Sequence, residues 1–295
     1  METNIRQANA KVSVEGLLSE MNLKEEMKDG VNVISGKLTL KTSDVNFVQF
    51  PINIREKTNA GTDNRAYPGI KTVMNEYKSV AAVGEADADI VRTTGDLNLY
   101  HSVQSGNDMV SYKSNFFNRV ANPADADYHA TFDVEMFISK MVPEMNTDGD
   151  ETGRLLVKGW VPMYENGIEP LTLVATEDIA DAITSAFEAG QTVRFFGDII
   201  NNRVVKTIEI PVAIGKPKVE TKTSYKNELV ITGASEPYED GVTPEKPYDP
   251  EVIKACIQER TTRIESQKEQ ASRNNTKSTA RPSGASRGRT LDLGF

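Results

Sequence analysis

The stretch VRTTGDLNLY, Val91 to Tyr100, returns about a hundred residues later as VRFFGDIINN, Val193 to Asn202. Both copies write Val-Arg-x-x-Gly-Asp and continue with Leu or Ile and an Asn. Upstream of the second copy, EDIADAITSAFEA sets Ile179, Ile183, Ala186 and Phe187 on one helical face, and Gly190 is a natural stop. Upstream of the first, YPGIKTVMNEYKSVAAVG does the same with Ile70, Val73, Met74, Tyr77, Val80 and Ala81, ahead of Gly84. The same amphipathic helix therefore feeds both motifs.

Three strand-like segments precede each helix. In the N-terminal half they are AKVSVEGLLSEMNL, NVISGKLTLKT and VNFVQFPINIREK, the last with period-two alternation at Val48, Phe50, Ile52 and Ile54. In the C-terminal half they are ATFDVEMFISKMV, RLLVKGWVPMY and IEPLTLVAT, with turns at NTDGDETG and ENG. One further strand comes after each motif, DMVSYKSNFFNRV and RVVKTIEIPVAI, and NELVITGASEPYED reads as an extra strand packed on the second unit. Strand, strand, strand, helix, strand, strand is the order of the OB-fold, a small Greek-key barrel. The expected fold is mainly β: two tandem OB-like five-stranded barrels, each with a helix between strands three and four, plus a C-terminal helix and a disordered tail. The divisions fall at residues 1–122, 123–240, 241–265 and 266–295.

The 295 residues, 38% hydrophobic, suffice for two cores. A single Cys256 excludes an internal disulfide and any cysteine-cluster metal site, and makes a reduced, cytoplasmic setting the expectation. No run approaches the roughly 18 apolar residues of a membrane span, and the N-terminus lacks the apolar segment of a secretory signal. The net charge of -9 is uneven. Residues 266–290 carry six Lys or Arg against one Glu and no large apolar side chain, which reads as a flexible basic tail on an acidic body.

OB barrels bind oligonucleotides or oligosaccharides across strands two and three. In GRLLVKGWVPMY, Leu155, Val157, Val161 and Met163 share one face, and Arg154, Lys158, Trp160 and Tyr164 the other. Cations and aromatics on one outward face suit phosphate pairing and base stacking together. In the first barrel, Lys37, Lys41, Phe47, Arg55 and Lys57 lie opposite the apolar rows. Trp160 has an alternative place, half-buried against the other barrel or the C-terminal helix. Arg92 and Arg194, inside the repeated motif, either track phosphates or serve an exposed strand edge. Tyr100, Tyr112 and Phe117 are further aromatic candidates on strands four and five.

Catalytic patterns are lacking. SGKL and GKPK miss the glycine spacing and the following Ser or Thr of a phosphate-cradling loop. His101 and His129 have no partner spacing for metal, and NTDGDETG lacks the Glu that closes a calcium loop. The expectation is a binding protein, with no enzyme activity, no metal and no cofactor. Near the C-terminus, Asp249 and Pro250 open a helix that carries Ile253, Ile257, Arg260 and Ile264 at helical spacing.

With its tandem barrel order, TGRLLVKGWVPMYENG and GQTVRFFGDIINN, its acidic body, its Gly/Ser/Arg tail and its terminal LDLGF, the chain resembles the single-stranded DNA-binding proteins of bacteria and their phages. That resemblance implies single-stranded DNA as the partner, a part in replication or recombination, phage origin, and a tip at Asp292, Leu293 and Phe295 that docks on partner proteins. The tip holds one Asp where those families carry a run of acids. The competing expectation is a virion or assembly protein that uses its barrels for protein contacts.

Overall fold

A computed structural model describes residues 5–210 and 218–279. The first unit runs β1 (Ala10–Lys28), β2 (Val31–Lys41), β3 (Phe47–Arg55), α1 (Ala66–Glu76), α2 (Val80–Val83), β4 (Ile90–Ser102), β5 (Asn107–Lys113) and the short β6 (Asn118–Arg119). The second runs β7 (His129–Met145), β8 (Glu151–Pro162), β9 (Ile168–Ala175), α3 (Glu177–Ala186), β10 (Thr192–Ile210) and β11 (Lys218–Ala234), and α4 (Pro250–Thr279) comes after it.

The chain is mainly β and forms two OB-like barrels. In each, the first strand pairs with the second along one half and with the fourth along the other: Leu17–Lys28 with β2, Lys11–Leu17 with β4. A strand serving two neighbours must bend, and it bends at a bulge, between Leu18 and Glu20 in β1 and between Ile138 and Lys140 in β7. The second barrel closes through a parallel bridge of Val230 on β11 with Val174 on β9. In the first, Phe50 of β3 spans the same gap with its ring, 6.2 Å from Tyr112 of β5 and 5.5 Å from Phe117.

Two expectations are corrected. RVVKTIEI is no separate strand, because β10 runs unbroken through it, and the fifth strand is β11, which contains NELVITG. Long strands on both sides of this hairpin keep pairing well past the barrel, from Phe195–Ala234 out to Ile210–Lys218. Helix α4 is also longer than the apolar stripe required, continuing from residue 265 to Thr279 through the polar segment ESQKEQASRNNTKST. It starts as expected: the Glu251 amide donates to the Asp249 carboxylate at 2.8 Å.

The repeated motif now has its physical reason. A Cβ at Gly95 would collide with the carbonyl oxygen of Lys113, and one at Gly197 with that of Val230, so the fifth strand lies against the fourth only over glycine. The motif arginines reach across to the first strand of their own barrel, Arg92 to Glu15 and Arg194 to Asp133.

The barrels are joined by an antiparallel ladder between β1 and β7, Ala10–Glu15 against His129–Val134. Val12 lies opposite Phe132 in it, and these two residues each pair with their own motif glycine, Gly95 and Gly197. The junction therefore has local twofold symmetry. Each first strand buries one carboxylate there. Glu15 accepts from Arg92 and from the Asp127 amide at 2.7 Å; Glu135 accepts from Arg6 at 2.7 Å, the Asn9 amide at 2.9 Å and the hydroxyls of Tyr238 and Tyr248. A second tie comes from the β2–β3 turn. Buried Asn46 donates to the Ile199 carbonyl at 2.9 Å and accepts from the Asn201 amide at 2.7 Å. One apolar core is continuous across both barrels, through Val12, Val14, Phe132 and Val134.

Candidate nucleic-acid interface

The two ties hold the outward face of β2 and β3 against the base of the β10–β11 hairpin, and the space between them is a trough of about 970 Å³. Its first wall is Lys37, Thr39, Phe47, Gln49 and Pro51. Their common orientation comes from the register, which sets Lys37 opposite Pro51, Thr39 opposite Gln49 and Lys41 opposite Phe47, while Leu38–Phe50 and Leu40–Val48 point inward. The second wall brings Asn201, Arg203, Tyr225 and Asn227 from the hairpin, and Pro170 and Thr172 from the outer face of β9.

Electrostatics favour an anionic chain along this trough. Three acids line it: Glu20, opposite Thr39 on the first wall, is balanced by the two cations Lys37 and Arg203, while Glu228 is held by Arg154 at 2.6 Å and Lys226 at 3.1 Å. Asp108 is held by His101 at 2.8 Å and by Arg260. Burial opposes the Asp108 charge, yet the hydrogen bonds from His101 and Arg260 outweigh it and keep the carboxyl below its ordinary range. Lys37 and Arg203 form no ion pair with another described residue, so their charge is available to a ligand. Tyr225 is exposed and Phe47 half-buried beside them.

Lys37, Phe47 and Tyr112 meet in this trough, but Tyr112 offers no face for stacking. Its ring is buried against Phe50, and burial pushes its hydroxyl up to about 12 against a hydrogen bond with Asn201. Lys41 is tied to Glu85 at 2.5 Å and Asp44 at 3.2 Å. Arg55 is exposed at the end of β3, and Lys57 is paired with Asp63. Arg92 and Arg194 sit on the outer face of the junction sheet, away from the trough, each bound to a carboxylate. Tyr100 is exposed on β4 opposite Met109.

On β8 the alternation reads as expected: Leu155, Val157, Gly159 and Val161 are buried, while Arg154, Lys158 and Trp160 face outward. Arg154 is committed to Glu144 at 3.0 Å as well as to Glu228. Lys158 and Trp160 lie opposite Thr172 and Pro170, so their face continues the trough. Trp160 is half-buried, with the Arg260 guanidinium of α4 5.9 Å from its ring centre. Tyr164 is exposed in the turn after β8. Asp292, Leu293 and Phe295 lie outside the described residues.

Sequence pattern alone does not mark Arg203, Tyr225 and Arg260 as site residues. The adjacent aromatic and cation of Tyr225-Lys226 are a usable signal only once β11 is placed within the barrel rather than packed upon it.

Fold and site define a tandem OB-barrel protein with a cation- and aromatic-lined trough between the barrels. The chain belongs to the YorF family, whose match covers residues 9–270. No curated protein sequence matches it. Among solved structures, it is similar to the wild-type single-stranded DNA binding protein from Thermus aquaticus at 10% identity and a TM-score of 0.46, over 81% of this chain and 98% of that one. A deletion mutant of the same protein gives 12% identity and a TM-score of 0.47, over 81% and 99%.

Proposed function

We propose that this chain binds single-stranded DNA without reading its sequence, as a non-enzymatic accessory of replication or recombination, phage-encoded and working in the cytoplasm. The observation that carries the reading is the inter-barrel trough, where Lys37 and Arg203, unpaired among the described residues, stand beside Phe47 and Tyr225. Cations that pair with phosphates and rings that stack on any base are the combination that holds a flexible strand sequence-independently. A duplex, with its bases already stacked, has no exposed faces to offer those rings. Partner docking through Asp292, Leu293 and Phe295 belongs to the same proposal.

A fluorescence-anisotropy titration of the full chain with oligo-dT, oligo-U and a duplex of equal length, at two salt concentrations, tests it. Expected is binding to dT well above that to duplex, weakening with salt at about 0.7 log units per phosphate contact. Equal affinity for duplex, or an affinity flat in salt, overturns it; tighter binding to oligo-U makes the partner RNA.

A second reading, an assembly protein, draws on a different surface. Exposed Phe116 and Phe196 flank a hollow of about 830 Å³ over the β1–β7 junction, and apolar rings in a polar rim are a usual mark of protein contacts. Absence of strand binding combined with self-association or capture of a structural partner through Phe116 and Phe196 would favour it.

A further inference from the structure

Helix α4 is attached unevenly. Ile253 and Cys256 are buried in its first turns, but from Thr261 to Ser272 only Ile264 is buried. The middle of the helix is held chiefly by charge. The Arg260 Nε donates to Glu169 at 2.8 Å, its Nη2 reaches Asp108 of the first barrel, and Arg263 donates to the other Glu169 oxygen at 2.9 Å. Arg260 is the hub, since it touches both barrels and lies over Trp160.

These contacts lie where the trough runs on toward Lys158 and Trp160. Asp108 and Pro170 both line it, and Pro170 is the cross-strand neighbour of Trp160. We infer that the Arg260–Arg263 turn of α4 is a displaceable cover over the Trp160 end of the trough, so that the protein has a short footprint with the cover seated and a longer one with it released. This rests on the strand-binding reading above. A phosphate accepts the forked donors of a guanidinium as a carboxylate does, so a strand advancing along the trough competes with Asp108 for Arg260. Once Arg260 turns to the strand, the indole face is open to a base. The first turns stay anchored by Ile253 and Cys256, which limits the movement to the helix from Arg260 onward.

Trp160 is the chain's single Trp and reports its own exposure. The experiment uses the full chain as wild type, Glu169→Gln and the double variant Arg260→Ala/Arg263→Ala, with circular dichroism to establish folding. Glu169→Gln keeps both cations, so it releases the cover without removing a phosphate contact. Without DNA, acrylamide quenching of Trp160 should rise in both variants. With a short oligo-dT, wild type should bind with little change in Trp160 emission, whereas Glu169→Gln should bind with strong quenching. The stoichiometric footprint on long oligo-dT should lengthen in Glu169→Gln, and its affinity should rise roughly five- to a hundredfold, the value of one newly stacked base. Equal quenching of wild type and Glu169→Gln by the short strand, or an unchanged footprint, overturns the cover while leaving strand binding in place. Failure of every form to bind any strand overturns the strand-binding reading, and the cover with it.

Discussion

Lys41 holds in the first barrel the place that Trp160 holds in the second. Lys41 lies opposite Leu17 and Trp160 opposite Phe137, and in each first strand the bulge comes after one more residue. From there the barrels diverge. Lys41 is drawn to Glu85 and Asp44, and the wall beyond it, Lys37 to Pro51, stands open to the trough. Trp160 instead lies beneath Arg260 of a helix that has no counterpart among the described residues of the first barrel. A repeated scaffold thus supplies one open wall and one partly covered wall. The difference arises from helix α4, appended after the second barrel, since the first three strands, β1–β3 and β7–β9, repeat closely.

The buried carboxylates differ in the same way, and removing them gives the largest expected effect. Glu135→Ala strands Arg6, Tyr238, Tyr248 and the Asn9 amide around an emptied site. It should cost about 3 to 5 kcal/mol in chemical denaturation, the range for breaking a buried charged network from one side. Glu15→Ala should cost less, about 1 to 3 kcal/mol, because its main partner Arg92 is half exposed and regains water. Equal losses would break the comparison.

The same pair sharpens it through pH. Burial opposes ionisation at both carboxyls, but at Glu15 the Arg92 and Asp127 hydrogen bonds outweigh it, and at Glu135 those from Asn9, Arg6 and Tyr238 do, so both lie below the usual range. A depressed carboxyl stabilises the fold above its unfolded pKa, about 4.3, and that stability is lost as pH falls through the lower folded value. Melting temperature should therefore hold from neutrality to about pH 5 and fall steeply below about pH 4. Glu135→Gln should flatten that fall.

On the open wall, Phe47→Ala and Tyr225→Ala should each weaken oligo-dT binding by about 1 to 3 kcal/mol with the melting temperature little changed. On the covered wall of the wild-type protein, Trp160→Ala should weaken binding of short strands by less than either. A Trp160 effect as large as that of Phe47 would place both faces in the footprint from the start.

Smaller still are the charge effects. Lys37→Ala and Arg203→Ala should each reduce the slope of log affinity against log salt by about 0.7. Arg92→Ala and Arg194→Ala should leave that slope alone, because each already faces a carboxylate on the junction sheet. Lys57→Ala, removing a surface pair with Asp63, should change stability and affinity by no more than about 0.5 kcal/mol.

Local pattern makes much of this molecule legible. The double Val-Arg-x-x-Gly-Asp motif, a helix ahead of each copy, the first broken at residues 77–79 into α1 and α2, and the alternation of Arg154 to Trp160 are statements about neighbours along the chain, and periodicity reports those directly. They are enough to establish two OB-like barrels, the outward side of β8 and the outward side of β3. The end of the second barrel is hard to read for the same reason: a strand as long as β10 contains a polar Asn-rich middle that locally resembles a turn. Which outward residues share a site is a matter of three-dimensional packing. Lys37 and Phe47 meet Arg203 and Tyr225 because the β1–β7 ladder and the Asn46 bridge fix one barrel against the other, and both depend on contacts between residues more than a hundred positions apart. Packing likewise turns Arg92 and Arg194 toward carboxylates and lays α4 over Trp160. Those outcomes are set by pairing energies between distant segments, which no local spacing records.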